Sequence, residues 1–254
     1  MLGVNDAPIF IGDASGDPTN DIPAGTLVLD SALEDASGYT INASQILSNY
    51  TDSDSSGLTI SSILISDGSL NENALDGSGN QSWTWTTPEE NFNGTVFLNY
   101  VISDGDGGTA LGKAAFVVTP VNDAPTADSG SQGFDGQEDQ IYTLNRNDLL
   151  DIIEDVDNNI DDLEITNVQL IDPSAGTIVA DGSGAWVFTP TANLSGVSPN
   201  FLGTGESYEG AVGFTYTVSD PDGESTTATG YIDLLPENDA PTLLDPSAGT
   251  ITLT

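Results

Sequence analysis

The sequence predicts an all-β chain of two tandem antiparallel β-sandwich domains, and three observations predict it. First, Val4-Asn5-Asp6-Ala7-Pro8 recurs as Val121-Asn122-Asp123-Ala124-Pro125 and as Glu237-Asn238-Asp239-Ala240-Pro241, so two whole units lie between three punctuation marks. Second, short runs between the marks alternate apolar and polar residues with the period of a half-buried strand. Third, Gly, Asp, Asn and Pro clusters separate those runs, and about seven short strands in roughly 110 residues is the density of a sandwich.

The elements repeat in order. Glu34-Asp35 corresponds to Glu138-Asp139, and Tyr39-Thr40-Ile41 to Tyr142-Thr143-Leu144. Short helical turns are expected at Ser44 to Leu47 and at Asn147 to Ile153. Asp52-Ser53-Asp54 then matches Asp155-Val156-Asp157, and Leu58-Thr59-Ile60 matches Leu163-Glu164-Ile165. Trp83-Thr84-Trp85 pairs with Trp186-Val187-Phe188, an aromatic set that reads as core. Asn91-Phe92-Asn93-Gly94 pairs with Asn193-Leu194-Ser195-Gly196. Leu98, Tyr100 and Ile102 take the inward positions that Phe214, Tyr216 and Val218 take in the second unit. Phe116 and Val118 match Ile232 and Leu234 near each unit's end.

The first unit carries about 13 extra residues before its Glu-Asp pair, and the second about 14 after Gly196, roughly Val197 to Gly210; both fall where loops accept insertions. Asp172 to Ile178 recurs out of register at Asp245 to Ile251, without an explanation. The expected domains are 1–121, 122–237 and a truncated third repeat at 238–254, cut from a longer array.

Composition removes most chemistries. The 254 residues hold 40 acidic side chains, two basic ones (Lys113 and Arg146), no His and no Cys. A net charge of -38 argues against nucleic acid, whose phosphates need Lys and Arg, and against an anionic membrane surface. No apolar run reaches the ~18–20 residues of a spanning helix. Without His or Cys there is no catalytic triad and no thiol zinc site. Two carboxylates could hydrolyse a glycoside, but among 40 acids any pair is uninformative, so no enzyme is expected. A lone lysine leaves little room for a Lys-Asn cross-link, and the Thr-x-Thr pairs are too scattered for an ice-binding face. What remains is a supply of oxygen ligands, the set that hard cations such as calcium use.

Asp-x-Asp alone is a common turn; its placement gives it weight. In a seven-strand up-and-down path, alternate loops reach the same end, which should cluster Asp52, Asp54 and Asp104 in unit 1, and Asp155, Asp157 and Asp220 in unit 2. Glu34, the Glu89-Glu90 loop and the exit Asn122-Asp123 should cluster at the other end of unit 1. Each carboxylate pair at 4 Å costs ~4 kcal/mol at an effective dielectric of 20. A cation accepting 6–8 oxygens removes that cost.

Glu-Asp, Asp-x-Asp, Ser103-Asp104-Gly105-Asp106-Gly107-Gly108 and Val-Asn-Asp-Ala-Pro together resemble the tandem cadherin-like repeats of large bacterial surface adhesins of the RTX type, and animal cadherins more distantly. The resemblance implies cadherin/Ig-like sandwiches, extracellular at the bacterial cell surface, made rigid by several calcium ions mainly at inter-domain junctions. Carried over, it makes linker ligands of Asn122 and Asp123, with Asn5/Asp6 and Asn238/Asp239 at the outer joints. It makes Asp-x-Asp ligands of Asp52/Asp54 and Asp155/Asp157, strand-end ligands of Asp104 and Asp220, and early acids of Glu34 and Glu138. Unit 2 departs from the pattern: Pro190 to Gly196 stands where unit 1 offers Glu89 and Glu90, leaving Glu206 or Glu209 to substitute.

The implied function is an extender that spaces a ligand-binding region from the cell and supports adhesion. Its partners would be neighbouring repeats of the same chain, with no nucleic acid, no direct membrane insertion and a monomeric state. The alternative is a calcium-dependent module binding a surface glycan or protein, with Val197 to Gly210 (Phe201 and Tyr208 within it) as the candidate site.

Overall fold

The computed structural model describes residues 4–36, 38–128, 132–192, 194 and 211–238. The chain divides into two compact units, Met1–Val121 and Asn122–Thr254, and each is an antiparallel β-sandwich.

In unit 1 one sheet holds β1 (Leu27–Val28) and β2 (Ala32–Leu33) beside β8 (Thr109–Thr119), then β7 (Gly94–Ser103) and β4 (Thr59–Ile65). The other orders β3 (Tyr39–Asn42), β6 (Ser82–Thr86) and β5 (Ser69–Glu72). α1 (Ala43–Leu47) follows β3 directly. Period two decides the packing. Val96, Leu98, Tyr100 and Ile102 of β7 face inward with Phe116 and Val118 of β8, against Ile41, Trp83 and Trp85 of the second sheet. Trp85 meets Phe116 edge to face, centroids 5.2 Å apart. Gly112 stands opposite Tyr100 in the β7–β8 ladder, and a Cβ there would fall 2.3 Å from the tyrosine ring.

Unit 2 repeats the plan. β9 (Gln132–Gln137), β15 (Ser225–Leu235), β14 (Ala211–Ser219) and β11 (Glu164–Leu170) form one sheet. β10 (Tyr142–Asn145), β13 (Ala185–Pro190) and β12 (Gly176–Ala180) form the other, and α2 (Arg146–Leu150) follows β10. Phe134, Phe188, Phe214 and Tyr216 fill the core with Leu144, Leu149 and Ile232. Tyr142 faces Phe188 as Tyr39 faces Trp85, so the aromatic correspondence read from the sequence holds in register.

The path departs from a plain up-and-down course in each unit. β1 and β2 pair parallel to β8, and β9 parallel to β15. Where the first and last strands of a unit run the same way, they can be neighbours only in parallel. The expected helical turn at Asn147 to Ile153 also ends early, at Leu150, because Ile153–Glu154 is drawn into a two-residue ladder with Thr126–Ala127. Its twin in unit 1 pairs Ile9–Phe10 with Tyr50–Thr51.

Unit 1's extra residues pack down on their own unit: Ile22 and Thr26 are buried, and Thr95 Oγ1 donates to the Asn20 carbonyl at 2.7 Å. The unit 2 insertion Val197 to Gly210, the second copy at Asp245 to Ile251 and all of the expected third repeat after Asn238 lie outside the described residues.

Candidate cation-binding cradles

The two short ladders position the chemistry. Each runs straight into an Asp-x-Asp: Tyr50–Thr51 into Asp52, and Ile153–Glu154 into Asp155. Each also holds the residues that follow the Asn-Asp-Ala-Pro mark, so the mark lies against the Asp-x-Asp of its own unit.

In unit 1, Asn5 Nδ2 donates to Asp104 Oδ2 at 2.7 Å, and the Asp6 N–H donates to Asp54 Oδ2 at 2.9 Å. Ser53 Oγ reaches Asp6 Oδ2 at 2.9 Å. Asp52 Oδ1 accepts from the N–H groups of Asp54 and Ser55, both at 2.8 Å. Ser55 Oγ closes the ring on the Asp104 carbonyl at 3.1 Å. Asp52 Oδ2 is buried and has no hydrogen-bond partner.

Unit 2 builds the same cradle. Asn122 Nδ2 donates to Asp220 Oδ2 at 2.8 Å, and the Asp123 N–H to Asp157 Oδ2 at 2.8 Å. Asp155 Oδ1 accepts from the N–H groups of Asp157 (2.9 Å) and Asn158 (2.7 Å). Asp155 Oδ2 is again buried without a partner. Asp54 and Asp104 are thus linked through Asp6 and Asn5, and Asp157 and Asp220 through Asp123 and Asn122, with Asp52 and Asp155 bonded to the backbone of the same loops.

Asp104 and Asp220 are nearly inaccessible, at 4% and 6% exposure. The Asn5 amide, helped by the N–H groups of Asp106 and Gly108, holds Asp104 below the usual carboxylate range against the opposing effect of burial. At Asp220 burial is the largest single influence and pushes upward, but the Asn122 amide and the N–H groups of Gly223 and Glu224 together outweigh it. Both carboxyls are held ready in the charged form.

The two early glutamates have a shared geometry at the other end of each unit. The Glu34 N–H donates to the Thr119 carbonyl, and Glu34 Oε1 accepts from the Val121 N–H at 2.7 Å. Likewise the Glu138 N–H donates to the Leu235 carbonyl, and Glu138 Oε1 accepts from the Glu237 N–H at 2.6 Å. Both side chains are 3% exposed. Glu34 Oε2 is met by Asn93 Nδ2 at 3.3 Å, whereas Glu138 Oε2 has no hydrogen-bond partner.

Glu89 and Glu90 are both exposed. Their turn is closed by Thr87 Oγ1 donating to the Glu89 carbonyl at 2.6 Å, and Asn93 lies beside Glu34. Asn238 is exposed, and Asp239 lies outside the described residues. Sequence reasoning also passed over Ser55, Asn158, Asn93 and Arg146. Asn93 alone gave a signal, as part of the repeated Asn-x-Asn/Ser-Gly segment.

The oxygens of the two cradles belong to carboxylates, amides, carbonyls and, in unit 1, the hydroxyls of Ser53 and Ser55. Such a set suits a hard cation and not a soft one, and a buried carboxylate oxygen without a partner is what a cation would complete. Among the described residues no helix is long and apolar enough to cross a membrane.

A family model described as the cadherin-like domain matches residues 19–119 and again 121–201. The chain belongs to the cadherin-like domain family. Its two units are thus tandem cadherin-like domains. No curated protein matches it. Among solved structures it is similar to extracellular cadherin domains 1–4 of Protocadherin Gamma B7, at 16% identity and a TM-score of 0.47, over 93% of this chain and 53% of that one. It is similar to the human Desmocollin-1 ectodomain at 12% identity and a TM-score of 0.45, over 93% and 42%. It is similar to EC1-2 of human Mucin-like Protocadherin at 15% identity and a TM-score of 0.43, over 84% and 97%. The chain spans about half the length of the Gamma B7 structure.

Proposed function

We propose that this chain is a calcium-rigidified extender of a large bacterial cell-surface adhesin of the RTX type, working outside the cell. Its role is to hold a ligand-binding region away from the surface. The units are 1–121 and 122–237, with 238–254 opening the next repeat. The observation that carries the reading is the duplicated cradle: the first and second Asn-Asp marks are each bonded onto the Asp-x-Asp and strand-end Asp of their own unit, around a buried carboxylate oxygen that lacks a partner.

Calcium ligands in this reading are Asn5, Asp6, Asp52, Asp54 and Asp104 in unit 1, and Asn122, Asp123, Asp155, Asp157 and Asp220 in unit 2. Glu34 and Glu138 serve the joints at the unit exits. Chain connectivity supports a stiff joint. Val121 is hydrogen-bonded to Glu34 within unit 1, and the very next residue, Asn122, is hydrogen-bonded to Asp220 within unit 2. The Pro125 that follows narrows the backbone further.

Calorimetric calcium titration of wild type and Asp155→Ala/Asp157→Ala tests the binding, and small-angle scattering in calcium and in chelator tests the joint. The expected result is several bound ions, fewer in the double variant, and a longer, narrower distribution of distances with calcium. Identical scattering in the two conditions would refute the rigid joint, and absence of binding would reduce the acids to a solvating surface.

A further inference from the structure

Arg146 is the only arginine of the chain and one of its two cationic side chains. It stands at the first position of α2, after the N-cap Asn145. A cation is disfavoured there, because the unpaired N–H groups of a helix start carry partial positive charge. Unit 1 has Ala43, a small buried residue, at the matching place. A residue that breaks a local rule calls for a compensating gain elsewhere.

Its contacts show the gain. Arg146 Nη2 donates to the carbonyls of Ile160 (3.0 Å), Asp161 (3.0 Å) and Leu163 (2.6 Å). These residues end the loop that begins with Asp155-Val156-Asp157. From Glu154 to Glu164 that stretch holds six carboxylates, yet none of the three acceptors is a carboxylate. The guanidinium grips the backbone of the loop and leaves its acids to other partners. The loop also needs gripping. It runs from Asp155 to the buried Leu163, two residues longer than the stretch from Asp52 to Leu58 in unit 1. Its interior has one main-chain turn bond, from the Asp162 N–H to the Asn159 carbonyl.

We propose that Arg146 is a positioning residue for the unit 2 cation cradle. By fixing the far end of the Asp155–Leu163 loop, it keeps Asp155 and Asp157 in the arrangement that a calcium ion takes up. The inference rests on the calcium reading above and adds an asymmetry to it: the unit 1 cradle has no such clamp and does not depend on one. The guanidinium also carries a positive charge, which on its own would weaken cation binding. Its effect on geometry and its effect on charge therefore have opposite signs, and experiment can separate them.

The test is a calcium titration of the whole chain, followed by NMR at the amides of Asp54 and Ser55 for unit 1 and of Asp157 and Asn158 for unit 2. In Arg146→Met the unit 2 midpoint moves to about tenfold higher calcium, the low end of what loss of a supporting contact costs a metal site. The unit 1 midpoint stays where it is. Arg146→Lys, whose ammonium offers three donors at a shorter reach, falls between wild type and Arg146→Met. A unit 2 midpoint that is unchanged or tighter in Arg146→Met overturns the proposal, and tightening would show that the charge outweighs the grip. If Arg146→Met loses the dispersed spectrum of unit 2, the lysine variant decides, and a midpoint tighter than wild type overturns the proposal. If neither unit of the wild type responds to calcium, the calcium reading itself has failed, and the proposal with it.

Discussion

Asp155→Asn is expected to stabilise unit 2 in chelator and destabilise it in calcium. Asp155 Oδ1 accepts two backbone N–H groups, and an asparagine oxygen can keep both bonds. Asp155 Oδ2 is buried with no partner, and an unmatched buried polar atom costs about 1–3 kcal/mol, more when charged. The variant replaces that charged oxygen by a neutral NH2 that still lacks an acceptor, so only part of the cost is relieved, about 1 kcal/mol. For a unit of this size that raises Tm by about 3–5 °C.

With calcium the sign reverses. A ligand at a hundred times its Kd stabilises by about 2.7 kcal/mol, and a site weakened about 100-fold keeps about 0.4 kcal/mol of that. The net change is then a loss of about 1.3 kcal/mol, or about 4–6 °C. Calorimetry in chelator and in calcium reads both arms, and Asp52→Asn should repeat the pattern in the unit 1 transition. A variant less stable than wild type in chelator would refute the reasoning. The carboxylate would then be stabilising by itself, and the buried oxygen would not mark a cation position.

Three further outcomes follow from single contacts. Asn5→Ala removes the amide that does most to hold Asp104 low, so its carboxyl should titrate higher by NMR. A depressed carboxyl stabilises above its unfolded value near 3.9 and loses that as pH falls through the folded value, so acid unfolding of unit 1 should begin at higher pH in this variant. Asp181 takes Ser183 Oγ and the N–H groups of Ser183 and Ala185 in the β12–β13 turn, and the Ser183 hydroxyl chiefly keeps its carboxyl low. Asp181→Ala should therefore lower Tm at neutral pH, and the difference should vanish in acid below the folded value. Tyr216 donates to the Leu149 carbonyl at 2.8 Å, and burial pushes its hydroxyl up to about 12. Tyr216→Phe should cost about 1–3 kcal/mol by leaving that carbonyl unmatched. In wild type the benefit of the neutral hydroxyl holds below pH ~10 and is lost as pH climbs towards 12, which ultraviolet titration of tyrosinate can follow.

What could be read from the sequence was whatever a local pattern carries. Leu98, Tyr100 and Ile102 announced a strand and its inward face, because period two is written in consecutive residues. Asp52, Asp54 and Asp104 could be grouped because strand direction alone says which end a loop reaches. Contacts that depend on a distant partner could not be read. Ile153 looked helical after Leu149 and Leu150 until Ala127 claimed it for a ladder. The turn that carries Glu89 and Glu90 passes through Asn91 at φ 57, and no sequence pattern states where side chains point on leaving such a turn. Arg146 gave no sign of its role, since a carbonyl acceptor has no residue type of its own.

The chain's two cations argue that any neutralising charge comes from outside it. Each cradle satisfies one oxygen of its first aspartate with two backbone N–H groups and one oxygen of its strand-end aspartate with an asparagine amide. These neutral donors fix the carboxylates in place without cancelling their charge. Lys113 sits in mid-strand on β8, paired in register with Asn99, while Asp104 lies beyond the end of that ladder. Arg146 directs its guanidinium nitrogen to carbonyls. No internal cation is thus assigned to Asp52 or Asp155, although the fold buries an oxygen of each. A buried carboxylate oxygen that no donor reaches is a cost to its unit, and a mobile cation can offset it. In the proposed function that cation is calcium, and it comes from outside the chain to the partnerless oxygens of Asp52 and Asp155.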